Sequence, residues 1–194
     1  MRYASIRELD ISNGEGIGVA LFVQGCHFHC YNCFNPDTWD FNGGKEWTQE
    51  TEDKLIELAS RPYIKRLSIL GGEPLADENL DGVLHLVDRF RLSLPNKTIW
   101  LYTGYEVNLE SYEILTIGKE YAKTRYEFTT TQPSRSNTAN FLRKSILNNV
   151  DVLVDGRYID SQRDVNLKWR GSKNQRVIDI KQSLQKGKVT LWTE

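Results

Sequence analysis

The sequence lacks three features: a fourth cysteine, a long apolar segment and an excess of charge of either sign. Its longest uninterrupted apolar run covers residues 19–23, which is too short to span a membrane or to form the core of a secretion signal. Lys and Arg total 25 against 26 Asp and Glu, so the basic surface of a general nucleic-acid binder is missing. We therefore expect a cytoplasmic protein that binds neither nucleic acid nor membranes.

The rest of the composition is that of an ordinary folded chain. Of the 194 residues, 39% are apolar, 26% are charged and 11% are aromatic, and this aromatic content argues against disorder. A chain of this length buries roughly 70% of the surface that its unfolded state exposes, so it needs no disulfide to fold. We expect residues 1–194 to form a single domain.

The cysteines are grouped within eight residues, at Cys26, Cys30 and Cys33. An odd number does not make a disulfide framework, and closely grouped cysteines in a reducing compartment are usually metal ligands or reactive thiols. Three thiolates on one loop can bind three corners of an iron–sulfur cube, which usually takes four cysteines. One iron then keeps an open coordination position, which distinguishes a catalytic metal site from a closed structural one.

Predicted strands and helices alternate along the chain, which indicates an α/β fold with a mostly parallel sheet. Two helix starts are predicted at the N-cap residues Thr48 and Asp77, and Pro62 ends the first helix. Short apolar runs predict strands at residues 19–23, 67–70, 98–102, 150–154, 177–180 and 189–192. The polar segment at about residues 111–140, which contains Pro133, is interpreted as a surface insertion.

Four loops each follow a predicted strand. They are the cysteine loop, the Gly-Gly-Glu-Pro loop at residues 71–74, Thr103-Gly104 and Asp155-Gly156. Ligands of parallel α/β sheets bind beyond the carboxyl ends of the strands, so we expect these loops to converge on one rim. Thr103 and Asp155 are candidate secondary contacts to a ligand there.

The Gly-Gly-Glu-Pro loop has the features of a ligand-binding turn. Gly71 and Gly72 permit positive φ angles and let a ligand approach the backbone, and Pro74 favours an extended conformation at Glu73. We expect a rim of free carbonyl groups and a carboxylate, which is suited to an ammonium group. An ordinary strand-to-helix turn is the alternative interpretation of the tetrapeptide alone.

The CxxxCxxC run after the first predicted strand resembles that of the radical S-adenosylmethionine (SAM) enzymes. This resemblance implies a partial (β/α) barrel and one [4Fe-4S] cluster held by Cys26, Cys30 and Cys33. The amino and carboxylate groups of SAM would bind the fourth iron, and Gly71, Gly72 and Glu73 would meet the methionyl amino group. The resemblance also implies that the reduced cluster splits SAM into methionine and a 5′-deoxyadenosyl radical. Because this radical abstracts a hydrogen atom, no general base is needed.

The same resemblance implies an adenine site next to the third cysteine. Members of the superfamily often have an aromatic residue just before that cysteine, whereas this sequence has Asn32. Tyr31 and Phe34 flank the position, and either could cover the adenine face, while the Asn32 amide or backbone could meet its edge. Asn32, Cys33 and Phe34 are therefore the candidate residues for this part of the cofactor.

Longer motifs narrow the resemblance to one family. The motifs are the segment Asp10–Gly16, Gln24-Gly25-Cys26, Trp100–Tyr105, Val152–Arg157 and Trp169–Ser172. They resemble the activating proteins of the anaerobic (class III) ribonucleoside-triphosphate reductase over most of residues 1–110 and 148–192. Glu15 and Gly18 depart from the family pattern, which has proline and arginine there. The family implies that the chain makes a glycyl radical on the reductase and that a flavodoxin-like one-electron donor reduces its cluster.

Two other functions remain open at this point. A radical SAM enzyme of small molecules, similar to 7-carboxy-7-deazaguanine synthase, would also be short and carry such a cysteine loop. A zinc-stabilised interaction module would use three cysteines with His27 or His29 as the fourth ligand. The basic run from Arg170 to Arg176 is either a docking surface for a partner or a solvated loop.

Overall fold

The computed structural model describes the backbone of residues 1–113, 123–129 and 137–193, and the side chains of residues 1–107 and 138–193. Its strands, in chain order, are β1 (Arg2–Asp10), β2 (Gly18–Val23), β3 (Lys45–Glu46), β4 (Arg66–Gly71), β5 (Thr98–Tyr102), β6 (Glu106–Glu113), β7 (Lys123–Thr129), β8 (Val152–Asp155) and β9 (Arg176–Asp179). Its helices are α1 (Gln49–Ser60), α2 (Leu80–Ser93), α3 (Asn137–Asn149) and α4 (Ile180–Lys186).

Seven strands form one sheet in the order β3-β1-β2-β4-β5-β8-β9, and β6 pairs with β7 in a separate antiparallel ribbon. The four central strands, β2, β4, β5 and β8, run parallel to one another. The flanking strands β1, β3 and β9 are antiparallel to their neighbours. The predicted α/β class and the parallel core are therefore confirmed, while closure into a partial barrel stays a prediction.

The first helix begins and ends where the sequence predicts. The Thr48 hydroxyl accepts a hydrogen bond from the backbone N–H of Thr51 at 3.2 Å, and α1 ends at Ser60, two residues before Pro62. The predicted cap of the second helix is wrong. Asp77 forms an ion pair with Arg143 of α3, and α2 begins after Asn79, which makes no side-chain capping bond.

The two faces of the sheet are packed differently. On the first, which we call the helix face, one residue in two along the central strands joins helix residues in one apolar core: Val19, Leu21, Val23, Leu67, Ile69, Ile99, Leu101 and Leu153. The residues between them form the opposite face, which we call the cavity face: Ala20, Phe22, Arg66, Ser68, Leu70, Trp100, Tyr102, Val152 and Val154.

Polar groups are buried on the cavity face at the amino ends of the parallel strands. Arg66 is 0% exposed and donates to the Asp10 carboxylate at 2.8 Å and to the Ser68 hydroxyl at 2.5 Å. The Ser68 hydroxyl in turn donates to the carbonyl oxygen of Asn13 at 2.5 Å. This network fastens the segment after β1 across the amino-terminal end of the sheet.

Other segments differ from the sequence-based predictions. Strand β1 was not predicted, since most of its residues are partly or fully exposed and it has no apolar run. The strand predicted at residues 189–192 is reduced to one isolated bridge between Ile178 and Leu191. Of the insertion predicted at about residues 111–140, residues 114–122 and 130–136 lie outside the described residues. No described helix is long and apolar enough to cross a membrane.

Candidate functional site

A cavity of about 540 Å³ lies on the cavity face beyond the carboxyl ends of the parallel strands. All three cysteines line it, and so do residues of each of the three other loops predicted to converge: Gly71, Gly72, Glu73, Thr103, Gly104 and Gly156. Asp155 itself points elsewhere, because its buried carboxylate pairs with Arg176 and accepts the backbone N–H of Val107 at 2.9 Å. The structure thus brings the four loops together, although Asp155 does not line the cavity.

The cysteine loop is held at its start by buried backbone contacts. Gly25 has a φ of +94°, and a side chain there would clash with the ring of Phe41. The backbone N–H of Cys26 donates to the carbonyl oxygen of Trp39 at 3.0 Å. The side chain of Gln24, which is 2% exposed, donates to the carbonyl oxygen of Asp40 at 2.8 Å. The segment after the cysteines therefore folds back and fixes where the first thiol stands.

The three thiols are free, partly exposed and directed to one cavity, which fits a cluster bound by three soft ligands. In the part of the chain that the structure describes, no three His, Cys, Asp or Glu side chains converge on a position for one metal ion. An iron–sulfur cube does not require such convergence, because each thiolate binds a different iron atom. Burial raises the pKa of the Cys26 thiol to about 12, so a bound metal must displace its proton.

The histidines of the loop make contacts of their own. The imidazole of His27 lies 3.0 Å from a carboxylate oxygen of Glu78. The His29 ring stacks on Trp39 with ring centroids 4.6 Å apart. Neither histidine lines the cavity with the three thiols. These contacts account for both side chains without a role as a zinc ligand.

The Gly-Gly-Glu loop is joined to the cysteine loop through the backbone. The backbone N–H of Gly72 donates to the carbonyl oxygen of Val23 at 2.9 Å, and the backbone N–H of Glu73 donates to the carbonyl oxygen of Gly25 at 2.7 Å. A side chain at Gly72 would clash with the carbonyl oxygen of Gly25, one residue before Cys26. The sequence predicts that Gly72 lies against a ligand or adopts a conformation that only glycine tolerates, and the structure adds a close contact with the backbone of the cysteine loop.

The Glu73 side chain is buried, whereas the sequence predicts its carboxylate on the rim of the site. It is 2% exposed and accepts hydrogen bonds from the N–H of Leu75 at 2.8 Å, the hydroxyl of Thr103 at 2.7 Å and the N–H of Gly104 at 2.8 Å. Burial raises the pKa of Glu73 to about 7, while these three donors and the charge of Arg143 act in the opposite direction. The carboxylate therefore links the Gly-Gly-Glu loop to the Thr103-Gly104 loop by hydrogen bonds.

The structure distinguishes the candidate adenine residues. Phe34 lines the cavity with the three cysteines, whereas Tyr31 is 77% exposed and lines a neighbouring cavity. Asn32 has a φ of +52°, its amide donates to Asp160 at 3.2 Å, and it lines neither cavity. Of these three side chains, only Phe34 is placed to pack against a ligand that also touches the thiols.

Sequence reasoning missed most of the remaining cavity wall. Phe22, Leu70 and Tyr102 form part of it from the sheet, and Trp169 and Gln175 contribute from the segment before β9. Trp169 has a φ of +60° and packs edge-on against Trp100, with ring centroids 5.0 Å apart. The Gln175 side chain accepts from the N–H of Gly171 at 2.9 Å. The run interpreted as a docking surface or a solvated loop thus contributes residues to the cavity wall.

Comparisons with known proteins agree with this arrangement. Residues 12–178 match the family model described as a 4Fe-4S single cluster domain. An anaerobic ribonucleoside-triphosphate reductase-activating protein from Vibrio cholerae is 38% identical over 90% of this chain and 96% of its own length. Proteins of the same name from Escherichia coli (strain K12) and Enterobacteria phage T4 are 33% and 32% identical, over 90% and 91% of this chain and 96% and 93% of their own.

Proposed function

Since the chain belongs to the family of anaerobic ribonucleoside-triphosphate reductase-activating proteins, we propose that it generates a glycyl radical on such a reductase by reductive cleavage of SAM. The observation that carries the proposal is the common cavity of the three thiols and the Gly-Gly-Glu loop. A flavodoxin-like protein is the proposed source of the electron. The relatives' names support a reductase as the partner, and the residues that line the cavity support a site for the cluster and SAM.

The proposed ligands of one [4Fe-4S] cluster are Cys26, Cys30 and Cys33, each on a different iron. With no fourth cysteine in the sequence, one iron is left for the amino and carboxylate groups of SAM. The chemistry that the cluster supplies when bound is one-electron reduction of the SAM sulfonium, which splits into methionine and a 5′-deoxyadenosyl radical that takes a hydrogen atom from a glycine of the reductase. Proton and electron move together in that abstraction, so no base is needed on this chain.

The protein's own residues position SAM and keep water away from the radical. Backbone carbonyls of Gly71 and Gly72 are proposed to accept from the methionyl ammonium group, since the Glu73 carboxylate is engaged by three donors. Phe34 is proposed to cover the adenine face. The rings of Phe22 and Trp169 line the cavity, and such apolar walls limit the access of water to a reactive intermediate.

Anaerobic reconstitution tests the proposal. The reconstituted chain should bind about four iron and four sulfide ions, as the cluster requires. With reductant and SAM it should release 5′-deoxyadenosine, and adding the reductase should produce a glycyl radical signal in electron paramagnetic resonance. A reductase whose radical-bearing glycine is replaced by alanine is the matched control and should give no such signal.

Each other outcome identifies a different function. Cleavage of SAM without any radical on the cognate reductase would indicate an enzyme of small molecules. A colourless protein that binds one zinc ion and no iron would indicate the interaction module. Either result would overturn the proposed function.

A further inference from the structure

A second cavity, of about 830 Å³, lies beside the cysteine loop. Its wall is formed by the cysteine loop, by Gly104 and Glu106, and by residues between Arg157 and Asn174. Its volume is within the range of sites that bury a ligand the size of a drug or a short peptide. Of the proposed cluster and SAM residues, Cys30 lines this cavity as well as the first, and Cys26, Cys33, Phe34, Gly71 and Gly72 line only the first.

The second cavity adjoins the first. Four residues line both of them: Phe28, Cys30, Gly104 and Tyr158. The Phe28 ring fills the space beside Gly104, where a Cβ atom would lie 2.6 Å from it, and the Arg157 guanidinium covers the same ring at 5.1 Å. A chain lying in the second cavity is therefore separated from the first by the width of single side chains.

The charges on this wall favour a peptide over an anionic ligand. Among the side chains on this wall, Arg157 carries a permanent positive charge, and Glu106 and Asp160 carry carboxylates. A phosphate-bearing ligand would meet this net negative charge, which disfavours its binding. A peptide backbone carries both N–H donors and C=O acceptors, so it can pair with groups of either sign.

The polar side chains on the wall are held by hydrogen bonds and still have donor and acceptor sites left for a ligand. The two oxygens of the Asp160 carboxylate accept hydrogen bonds from the Tyr158 hydroxyl at 2.8 Å and from the Asn32 amide at 3.2 Å, and a carboxylate can accept about four. Arg157 donates one of its five N–H groups to the carbonyl oxygen of Phe28 at 2.8 Å. The remaining sites are available to a backbone that enters the cavity.

We propose that this second cavity binds, as an extended chain, the segment of the reductase that carries the target glycine. The inference rests on the proposed function, which requires one partner Cα atom to reach the radical formed in the first cavity. Glycine has no side chain, so its backbone can lie close to the residues that line both cavities, among them Cys30 and Gly104. The partner therefore approaches along the cysteine loop, and SAM occupies the first cavity.

The first test fills the second cavity without touching the first. Ser161 is exposed and lines only the second cavity, so Ser161→Trp should place a bulky ring where the peptide binds. The variant should keep its cluster absorbance and its partner-independent release of 5′-deoxyadenosine, while the glycyl radical yield falls by roughly tenfold or more. Val165→Trp is the matched control, because Val165 is 83% exposed, lies on the same loop and lines neither cavity.

Each result decides the question. An unchanged radical yield in Ser161→Trp would overturn the proposal, and so would an equal loss in Val165→Trp. Loss of SAM cleavage in Ser161→Trp would place Ser161 at the first cavity and would also overturn it. Failure of the proposed function is distinguishable, because the unmodified chain would then cleave no SAM or activate no reductase.

A second measurement does not depend on activity. A photo-crosslinking residue at position 161 of the holoenzyme should attach to the glycine-bearing segment of the reductase, as mapped by mass spectrometry. The same residue at position 165 should not attach to that segment. Crosslinks from position 161 only to other parts of the reductase would overturn the proposal.

Discussion

The two faces of the seven-stranded sheet show how stability and chemistry are divided in this chain. The helix face is covered by α1, α2 and α3, and its strand residues are Val, Leu and Ile. The cavity face carries Arg66, Ser68 and Tyr102 between its apolar residues and leaves a cavity at the end where the cysteines stand. Both faces belong to the same strands, so the alternation of side chains alone separates the core from the site.

The comparison predicts that substitutions on the helix face and substitutions at the cavity affect different properties of the protein. A change on the helix face should lower the free energy of unfolding and leave the chemistry of the folded molecules intact. A change at one of the three thiols should remove the cluster, and with it SAM cleavage, and leave the folded chain nearly as stable as before. Four substitutions test this division, and the first is expected to have the largest effect.

Replacing one cysteine should separate chemistry from stability most clearly. Cys30→Ala should lose the cluster and all SAM cleavage, because two thiolates remain for three irons. Since Cys30 is only partly buried, the free energy of unfolding of the cluster-free chain should change by no more than about 0.5 kcal/mol. Iron analysis and urea unfolding measure the two quantities, and full iron content in this variant would refute the ligand assignment.

A core substitution on the helix face should have the opposite effect. Phe90 of α2 is 0% exposed, so Phe90→Ala should lower the free energy of unfolding by about 3–5 kcal/mol. Its SAM cleavage per folded molecule should match that of the unmodified chain at a temperature where both are folded. Leu92→Ala on the same helix is the matched control, since Leu92 is 86% exposed and its loss should have little effect. Equal destabilisation by both substitutions would contradict the packing described here.

Gly72 tests the backbone contact between the two loops of the site. In Gly72→Ala the new methyl group clashes with the carbonyl oxygen of Gly25, and relief of such overpacking costs about 1–3 kcal/mol. We expect lower cluster content as well as weaker SAM binding, because Gly25 precedes Cys26. Gly82→Ala is the control, because its methyl group would also crowd a neighbour, the Cβ atom of Met1 at 2.6 Å, but Gly82 does not line the cavity and its cluster content should stay normal. Normal cluster content in Gly72→Ala would show that the loops can shift independently.

Thr103 should have the smallest effect, and that effect should depend on pH. The raised pKa of Glu73, about 7 against an ordinary 4.5, means that the folded state binds a proton more tightly, so the free energy of unfolding falls as pH rises between these values. Thr103→Val removes one donor to the carboxylate and should cost about 1 kcal/mol at pH 8 and less at pH 5. Thr103→Ser keeps the hydroxyl and should behave as the unmodified chain. Urea unfolding at both pH values measures this, and equal losses would exclude the ionised Glu73 as the cause.

Features that depend on neighbouring residues were predictable from the sequence. Thr48 caps α1 through a bond to a residue three positions later, and the central strands are short apolar runs. The convergence of the loops also followed, because the carboxyl ends of parallel strands meet at one edge. For the same reason, the three thiols and the Gly-Gly-Glu loop could be expected at one cavity.

Features that depend on distant residues could not be predicted in this way. Asp77 looks like a helix cap, but Arg143, which lies 66 residues later, binds its carboxylate. Glu73 looks like a rim carboxylate, but Thr103 and Gly104 turn it inward. The position of Trp169 in the cavity wall likewise depends on packing against Trp100, which no local pattern indicates.

The central claim is that three cysteines hold a cluster whose fourth iron binds SAM. The most direct measurement is electron–nuclear double resonance of the reduced, reconstituted chain with SAM labelled isotopically in its amino and carboxylate groups. The account predicts hyperfine coupling between the cluster and both labelled groups, with Cys30→Ala giving no such signal. A full cluster that shows no coupling to either group would contradict it.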